Sequence, residues 1–231
     1  MKFKTEISKS VDGKHEIKGH NVIDLLSSRS FAEVIFLLLR GDFPNEKEKA
    51  LLETILVASV EHGVESPSTF VPRVVASTGN DFHVALATGM LSIGKNHGGA
   101  GEAAAQLLSS EKSVEEIVEE NRVIPGFGHK TYKDEDPRAT AIYKRAKELG
   151  FECKYFERAY SIERILEQKK GKKIPLNIDG AQAAALLELG FDWRLGKAFF
   201  LMGRIVGMSA HVLEELDQKN SYHRLEESDT A

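Results

Sequence analysis

Along most of the chain, apolar side chains recur at the three- and four-residue spacing of amphipathic α-helices. Polar helix-start signals precede several of these segments, as where Ser30 and Glu33 have the spacing of a capping box. Residues 3–9 and 14–18 instead alternate around Asp12-Gly13, which predicts a short β-hairpin. The predicted fold is therefore all-α with a short N-terminal hairpin. Helices are predicted over residues 34–39, 45–60, 81–93, 100–108, 137–149, 155–169, 180–189 and 193–217, and after Ser113.

Composition narrows the class of protein. The 231 residues are enough to bury a sizeable core, as one large domain or two small ones. A net charge of −4, with no block of basic residues, does not predict a nucleic-acid surface. The single cysteine, Cys153, excludes an intrachain disulfide and a multi-cysteine metal site. The charged N-terminus does not read as a signal peptide, and no apolar run reaches the roughly 20 residues of a membrane span. We expect a soluble, cytoplasmic protein.

Residues 124–138, Ile-Pro-Gly-Phe-Gly-His-Lys-Thr-Tyr-Lys-Asp-Glu-Asp-Pro-Arg, form the most informative segment. Its two glycines permit a tight turn just before His129. Asp136-Pro137 reads as a helix N-cap and first helical position, so that Arg138 lies in the first turn. A proton-transfer group and a fixed cation on one loop-to-helix unit suit an anionic, oxygen-rich substrate. The alternative is an ordinary solvated loop.

A buried arginine is predicted near the C-terminus. Residues 198–213 are apolar on nearly every face of a helix, which is typical of a buried helix, and Arg204 lies in the middle of them. An unpaired buried guanidinium is costly, so Arg204 must meet an anion. That anion is either an internal Asp or Glu or the carboxylate of a ligand.

Three further residues have both a structural and a functional interpretation. His62 is predicted at a helix end beside a loop, where capping or surface exposure is the common case. His97 precedes a glycine-rich turn and a new helix, a good position for binding an oxyanion. Asp179 lies between apolar residues and a run of alanines, where a carboxyl group acquires a raised pKa and can act in acid–base catalysis. The alternative for Asp179 is an N-cap of a helix that starts at Gly180.

Together these segments resemble the citrate synthase superfamily. The family's motifs appear in its order as His62-Gly, Gly-Lys-Asn-His97-Gly-Gly-Ala, Pro-Gly-Phe-Gly-His129 through Asp-Pro-Arg138, Asn-Ile-Asp179-Gly and Gly-Arg204-Ile-Val-Gly. The resemblance runs from about residue 15 to the end. It implies a citrate synthase-like helical fold, with a large domain from residues 1–99 and 191–231. A small domain from residues 100–190 would close over the active site.

Within the superfamily, the length of the chain, its Asn-Ile-Asp-Gly segment and its Ala-His-Val-Leu-Glu-Glu-Leu segment resemble citryl-CoA lyases. These include stand-alone enzymes and the C-terminal module of ATP-citrate lyase. His97 is instead similar to the synthases. The resemblance implies cleavage of (3S)-citryl-CoA to acetyl-CoA and oxaloacetate. The alternatives are a short citrate synthase or 2-methylcitrate synthase, and a non-catalytic module that binds citrate or CoA.

The resemblance also implies roles for particular residues. His62, His129, Arg138 and Arg204 would hold the polycarboxylate, with Arg224 from a second subunit. His129 would also bond the tertiary hydroxyl and help remove its proton. His97 would stabilise charge on the thioester oxygen, and Asp179 would return a proton to the methylene carbon. The CoA-binding backbone would comprise Ile124, Pro125, Gly126, Phe127 and Gly128.

The remaining implications concern partners. No metal and no permanently bound cofactor is implied, because CoA enters as part of the substrate. A site shared between subunits implies a homo-oligomer, either a dimer or a tetramer. A separate citryl-CoA synthetase would supply the substrate, as in reductive carboxylic-acid cycles. The role of His211, seven residues after Arg204, stays open.

Overall fold

The structure is a computed structural model that describes residues 3–219 and 221–229, with Val11 described by its backbone alone. Helices dominate the described residues, and the predicted all-α, citrate synthase-like fold with a small N-terminal β element is confirmed. The helices are α1 (Val22–Ser28), α2 (Phe31–Leu39), α3 (Glu46–Ser59), α4 (Pro67–Ser77), α5 (Phe82–Leu91), α6 (Ala100–Ser109), α7 (Val114–Glu120), α8 (Pro137–Glu148), α9 (Lys154–Lys170), α10 (Ile178–Glu188) and α11 (Gly196–Gln218).

The N-terminal sheet has one strand more than predicted. Strands β1 (Ser8–Val11), β2 (Lys14–Ile17) and β3 (His20–Asn21) pair antiparallel in that order. The predicted turn at Asp12-Gly13 is present, with positive φ angles of 49° and 75° that match a tight hairpin turn. The first strand begins at Ser8 and not at residue 3. The third strand forms because Lys18 and Gly19 repeat the positive-φ turn and fold the chain back again.

Local polar signals set the helix starts as predicted. The capping boxes at Ser30, Asn45 and Ser113 are all formed. Pro137 opens α8, and the side chain of Asp136 accepts a hydrogen bond from the backbone N–H of Arg138 at 3.1 Å. These short-range bonds satisfy N–H groups that have no partner inside the helix, which is why the sequence locates them.

Helices α1 and α4 were not predicted. Helix α4 begins within the Glu-Ser-Pro-Ser-Thr segment of residues 65–69, which reads as a loop, and it contains Pro72 in its interior. Pro67 occupies the first turn of α4, where its fixed φ angle is compatible with a helix and its missing N–H costs nothing. The tertiary packing of α4 against α5 and α11 outweighs the weak local signal.

Helix α10 occupies the centre of the hydrophobic core. It packs against α3, α6, α8 and α9, and it carries a run of buried alanines at positions 181 and 183–185. Small side chains let neighbouring helices approach closely on several sides. At its first turn, Gly180 touches Gly126 so closely that a Cβ on Gly180 would lie 2.4 Å from the Gly126 oxygen. The position of α10 is therefore tied to the turn before His129.

Helix α11 is only partly buried, so the prediction of a helix buried on every side is wrong. Arg204 is 3% exposed, but Val206 and Leu213 are 59% and 54% exposed. The buried face crosses α3 at Gly203 and Gly207, and a Cβ on Gly207 would meet the Val60 oxygen at 2.2 Å. Within the described residues, no helix has the length and apolar character required to cross a membrane.

Candidate active site

A cavity of about 220 Å³ is lined by residues from α3, α6, α8, α10, α11 and the loops that lead into them. Six of the residues singled out in the sequence lie in its wall: His62, His97, His129, Arg138, Asp179 and Arg204. Histidines and arginines outnumber carboxylates in this set. The cavity therefore suits an anionic ligand, as the sequence predicted for residues 124–138.

Arg138 is held by a buried carboxylate. Asp136 accepts two hydrogen bonds from its guanidinium, from Nε at 2.9 Å and from Nη2 at 2.8 Å. Burial alone would raise the pKa of Asp136, but the hydrogen bonds and the charge of Arg138 lower it below its ordinary value. The other edge of the guanidinium faces the cavity, with Nη1 3.2 Å from His62 Nδ1 and Nη2 3.2 Å from His129 Nε2.

The backbone assigns the tautomer of His129. Its Nδ1 lies 3.0 Å from the N of Thr131 and 3.1 Å from the N of Tyr132, and backbone N–H groups can only donate. Nδ1 is thus the acceptor, and the neutral ring carries its hydrogen on Nε2. The Nε2–H of His129 and the Nη2 of Arg138 are then two donors at 3.2 Å, directed at one region of the cavity. Such a pair suits a shared acceptor, such as a ligand oxygen.

The same reasoning assigns His97. Its Nε2 accepts from the backbone N of Ser68 at 3.3 Å and lies 2.8 Å from the Ser68 hydroxyl. The hydrogen of the neutral ring is therefore on Nδ1, free to donate within the cavity wall. Desolvation, and then the charge of Arg204, lower the pKa of His97. Desolvation also lowers the pKa of His62, together with the charge of Arg138. Both rings are neutral near pH 7.

Arg204 has no carboxylate partner among the described residues. Its Nε donates to the Ser59 carbonyl at 2.8 Å, its Nη1 lies 3.4 Å from the Ser68 hydroxyl, and its guanidinium lies over the Phe200 ring. Burial lowers the pKa of Arg204, against the opposing charges of Glu61 and Asp179. Of the two anions considered for this arginine, residues 3–219 and 221–229 supply no ion-paired Asp or Glu, and the carboxylate of a ligand remains.

Asp179 faces the cavity from the first turn of α10. The Asn177 side chain accepts from the backbone N–H groups of Asp179 and Gly180, so Asn177 is the N-cap and the capping alternative for Asp179 is wrong. Burial raises the pKa of Asp179, and the charge of Arg138 only partly offsets this. A carboxyl group with a raised pKa can hold a proton and deliver it.

The turn from Ile124 to Gly128 lies beside the cavity and not in its wall. Gly126 and Gly128 have φ angles of 87° and 80°, which glycine adopts without strain. The Gly126 carbonyl accepts from the Asn177 N–H, and the Gly128 carbonyl accepts from the Asn177 side-chain amide at 2.8 Å. These bonds fix the turn against α10. Contact of this turn with CoA stays a prediction.

Two residues from the sequence analysis lie away from the cavity. Arg224 is exposed in the segment after α11, and its neighbour His223 bonds the Ser77 hydroxyl and the buried carboxylate of Glu215. His211 pairs with Glu61 through Nε2 at 3.1 Å. Neither Arg224 nor His211 lines the cavity of its own chain.

Sequence reasoning missed three polar residues of the site. Ser68 orients both His97 and Arg204, but it lies on α4, which carried no clear helix signal. Asn177 was not recognised as a cap, although Asn before an apolar helix is a standard start signal. Gln182 lines the cavity one turn after Asp179, and its sequence context, a run of alanines, gave no indication of this. In the described part of the chain, no cluster of three or more His, Cys, Asp or Glu is arranged to hold a metal ion.

Most of the chain, including the cavity residues, matches one known protein family. The family model described as "Citrate synthase, C-terminal domain" matches residues 45–226, a range that contains every residue of the site. The chain belongs to the citrate synthase family. The six cavity residues that the sequence singled out, and Arg224, all lie within the matched range.

Individual relatives in the family divide into two groups. The structure of citryl-CoA lyase from Hydrogenobacter thermophilus overlays with a TM-score of 0.93 at 41% identity, covering 99% of this chain and 93% of that one. Citrate synthase 2 from Bacillus subtilis is 32% identical over 87% of this chain and 56% of its own length. Citrate synthase from Thermoplasma acidophilum, solved with carboxymethyl coenzyme A and oxaloacetate, overlays at 0.71 with 28% identity, covering 86% of this chain and 56% of that one. The chain spans about half the length of the curated synthases it matches.

The unpaired state of Arg204 leads to a prediction about stability and binding. Substitution Arg204→Met removes a buried charge that forms no ion pair with a carboxylate of the described residues, so the free energy of unfolding should stay the same or rise by about 1 kcal/mol. Binding of citrate, used as a tricarboxylate probe, should be lost. Chemical unfolding and titration calorimetry measure the two effects.

Arg73→Met is the matched control. Arg73 donates to the fully buried carboxylate of Glu215 at 2.8 Å, so its removal should lower the free energy of unfolding by roughly 3 kcal/mol while the cavity residues stay in place. A large loss of stability in Arg204→Met, with citrate binding retained, would show that Arg204 is a structural residue.

Proposed function

We propose that this protein is a citryl-CoA lyase, which cleaves (3S)-citryl-CoA to acetyl-CoA and oxaloacetate. The proposal is carried by the near-complete overlap with the citryl-CoA lyase of Hydrogenobacter thermophilus, at 41% identity over 99% of this chain. The composition of the cavity supports it, because arginines, neutral histidines and one protonatable carboxyl group are what this cleavage requires.

The substrate carboxylates would be held by the cations of the cavity. Arg138 presents one edge to the cavity while Asp136 holds its other edge, and a planar guanidinium matches a carboxylate with two hydrogen bonds. Arg204 supplies the second cation, and since it pairs with no carboxylate in the described part of the chain, its charge is left for the ligand. His62 adds a donor beside Arg138.

The bond cleavage would be shared among three residues. His129 donates its Nε2–H to the oxygen of the tertiary hydroxyl and stabilises the negative charge left there as the hydroxyl proton departs; this is the form in which it helps to remove that proton. His97 donates its Nδ1–H to the thioester oxygen, where charge develops in the enolate. Asp179 delivers its proton to the methylene carbon, which becomes the methyl group of acetyl-CoA. The electron pair of the broken C–C bond forms the enolate, and the pair of the O–H bond forms the ketone C=O of oxaloacetate. The hydroxyl proton would pass to a water molecule held beside it and from there to solvent, from which Asp179 regains the proton that it gives.

The turn from Ile124 to Gly128 would hold the nucleotide end of CoA outside the cavity. The small domain of residues 100–190 would close over the ligand and exclude water, which prevents hydrolysis of citryl-CoA. An enzyme that joins citrate to CoA would supply the substrate. CoA would be present only as part of substrate and product.

A synthase is the second candidate, and a specific observation favours it. Citrate synthase 2 of Bacillus subtilis is 32% identical to this chain, and the retained His97 is similar to that group. The same residues, run in reverse, would deprotonate acetyl-CoA or propionyl-CoA and join it to oxaloacetate. The two enzymes differ in the fate of citryl-CoA or its 2-methyl analogue: a lyase receives it as substrate, and a synthase hydrolyses it to the free acid.

A second copy of the chain would complete the site with Arg224. Helices α4, α5 and α11 pack against one another, and each leaves large apolar side chains exposed. An exposed apolar surface of this kind marks a protein–protein interface. The side chains concerned are Phe70, Val74, Val84, Leu91, Val206 and Leu213.

The products formed from citryl-CoA distinguish lyase from synthase. The purified protein should release oxaloacetate and acetyl-CoA with little free citrate, and Asp179→Asn should lower this rate roughly 10²- to 10⁴-fold because the proton donor is lost. Since burial raises the pKa of Asp179, cleavage should need its protonated form and fall as pH rises through that pKa. Dominant release of citrate would instead identify a synthase.

Mixing of variants tests whether Arg224 acts across subunits. Asp179→Ala and Arg224→Ala should each be inactive, but a re-equilibrated equal mixture should recover about one quarter of wild-type activity, since half the dimers are mixed and each has one intact site. Arg194→Ala removes another exposed arginine and should leave activity unchanged. No recovery on mixing would mean that Arg224 does not act across subunits.

A further inference from the structure

Gln182 is a polar side chain within an apolar stretch of α10. Its neighbours at positions 181 and 183–187 are all buried and apolar. Gln182 follows Asp179 by three residues, so the two side chains lie on the same side of the helix, one turn apart. Both line the 220 Å³ cavity. None of the steps assigned above uses the amide of Gln182.

The amide of Gln182 bonds the last turn of α3. Its Nε2 donates to the Ile55 carbonyl at 3.1 Å and to the Ser59 hydroxyl at 2.6 Å. A carbonyl oxygen only accepts, so the nitrogen and not the oxygen of the amide must face α3. The Ser59 hydroxyl donates in turn to the Ile55 carbonyl at 3.0 Å. The three groups form one closed arrangement with a single orientation of the amide.

The same turn of α3 orients Arg204. The Ser59 carbonyl accepts from Arg204 Nε at 2.8 Å, and Ser59 is 2% exposed. Helix α11 presses on this turn at Gly203, where an added Cβ would lie 2.6 Å from Ser59 Cβ. A continuous set of bonds thus runs from the helix of Asp179, through Gln182 and Ser59, to the guanidinium of Arg204.

We propose that Gln182 is a positioning residue that sets the distance between the carboxyl group of Asp179 and the substrate carboxylate bound by Arg204. This inference rests on the proposed function, in which Asp179 gives a proton to a substrate whose carboxylate is held by Arg204. In the predicted division of the chain, Gln182 belongs to the small domain, and Ile55 and Ser59 belong to the large one. Its bonds therefore connect the two predicted domains, and they fix the position of Asp179 relative to the carboxylate bound by Arg204.

Filling space does not account for an amide at this position. A cavity of about 20 Å³, room for one water-sized group, lies between Gln182 and the mostly apolar side chains around it, among them Ile55, Leu186 and Phe199. A leucine would pack there without the cost of desolvating an amide. Bonds to a defined partner are what the amide adds, and both bonds go to the turn that holds Arg204.

Substitution Gln182→Leu tests the proposal, because it keeps the size and removes both bonds. We expect kcat for citryl-CoA cleavage to fall about tenfold to a hundredfold, with KM changed less than about threefold, since the loss lies in alignment and not in binding. Exchange of the acetyl-CoA methyl protons with deuterated water should fall in step, because Asp179 also performs that transfer. Gln168→Leu, on the exposed surface of α9, is the control and should change none of these rates.

Substitution Gln182→Glu keeps the length of the side chain and adds a pH readout of how close residue 182 lies to Asp179. A carboxylate one turn from Asp179 raises the pKa of Asp179 further, so the fall of the cleavage rate at high pH should move to higher pH. The charged and titratable groups that act on Asp179 or share its cavity are Asp136, Arg138, Arg204, Lys95, His62, His97 and His129. They are unchanged in the variant and in the wild type, so the shift reports residue 182 alone.

The outcomes separate this inference from the proposed function. If Gln182→Leu cleaves citryl-CoA within about twofold of the wild-type rate, the positioning role is overturned and the lyase stands. If Gln182→Leu does not fold, Gln182→Glu decides, with a wild-type unfolding midpoint and a reduced kcat in support. If the wild type does not cleave citryl-CoA, the lyase proposal is overturned. The role of Gln182 is then tested by exchange of the acetyl-CoA methyl protons, because a synthase shares that step. Exchange unaffected by the substitution, or absent from the wild type, would overturn the inference.

Discussion

Asp136 places a buried carboxylate at the start of α8, and three parts of the site are bonded to it. It accepts the backbone N–H of Arg138, two bonds from the Arg138 guanidinium, and the backbone N–H of Ile178 at the start of α10. The carboxylate of Asp136 therefore caps α8, orients the Arg138 guanidinium, and fixes the N-terminus of α10, which carries Asp179. The orientation of the Arg138 guanidinium follows from it, so that Nη2 of Arg138 and Nε2 of His129 lie 3.2 Å apart and face the same region of the cavity.

Asn177 also connects the turn before His129 to the start of α10. Its backbone and side chain bond the carbonyls of Gly126 and Gly128, while its side-chain oxygen caps α10. Because Gly126 and Gly180 touch through their backbones, no side chain can be introduced between the turn and the helix. The segment with His129 and the helix with Asp179 consequently behave as one rigid unit, which is what a site needs if reacting groups are to stay aligned.

The charge distribution of the cavity lowers stability in a way that the proposed function explains. Arg204 is buried without an ion partner among the residues that the structure describes, and Asp179 is held in surroundings that raise its pKa. Both features lower the stability of the ligand-free protein. Arg204 is suited to a ligand that carries carboxylates, and Asp179 is suited to a ligand that accepts a proton. Such conflicts between local stability and chemistry are concentrated at functional sites.

Much of this arrangement could be predicted from sequence, because its signals are local. The caps at Ser30, Asn45, Ser113 and Asp136 depend on residues no more than three apart, and each is formed. The role of Ser68 could not be predicted, since it depends on α4 packing beside a loop 29 residues away in sequence.

Two further features also depend on tertiary packing. The exposed face of α11 carries apolar side chains. The sequence pattern is the same whether such a face is buried in the core or against another chain, so it does not distinguish the two. The bonds from Gln182 to α3 connect residues more than 120 positions apart, and no periodic pattern encodes them.

The proposed site holds a citryl group between Arg204 and Asp179, and a crystal structure of the Asp179→Asn variant with citryl-CoA bound would show it. We expect one substrate carboxylate on the Arg204 guanidinium, another on Arg138, and the methylene carbon within about 3.5 Å of the side chain at position 179. A citryl group bound with Arg204 still facing only Ser59 and Ser68, or with its methylene carbon away from position 179, would overturn this assignment.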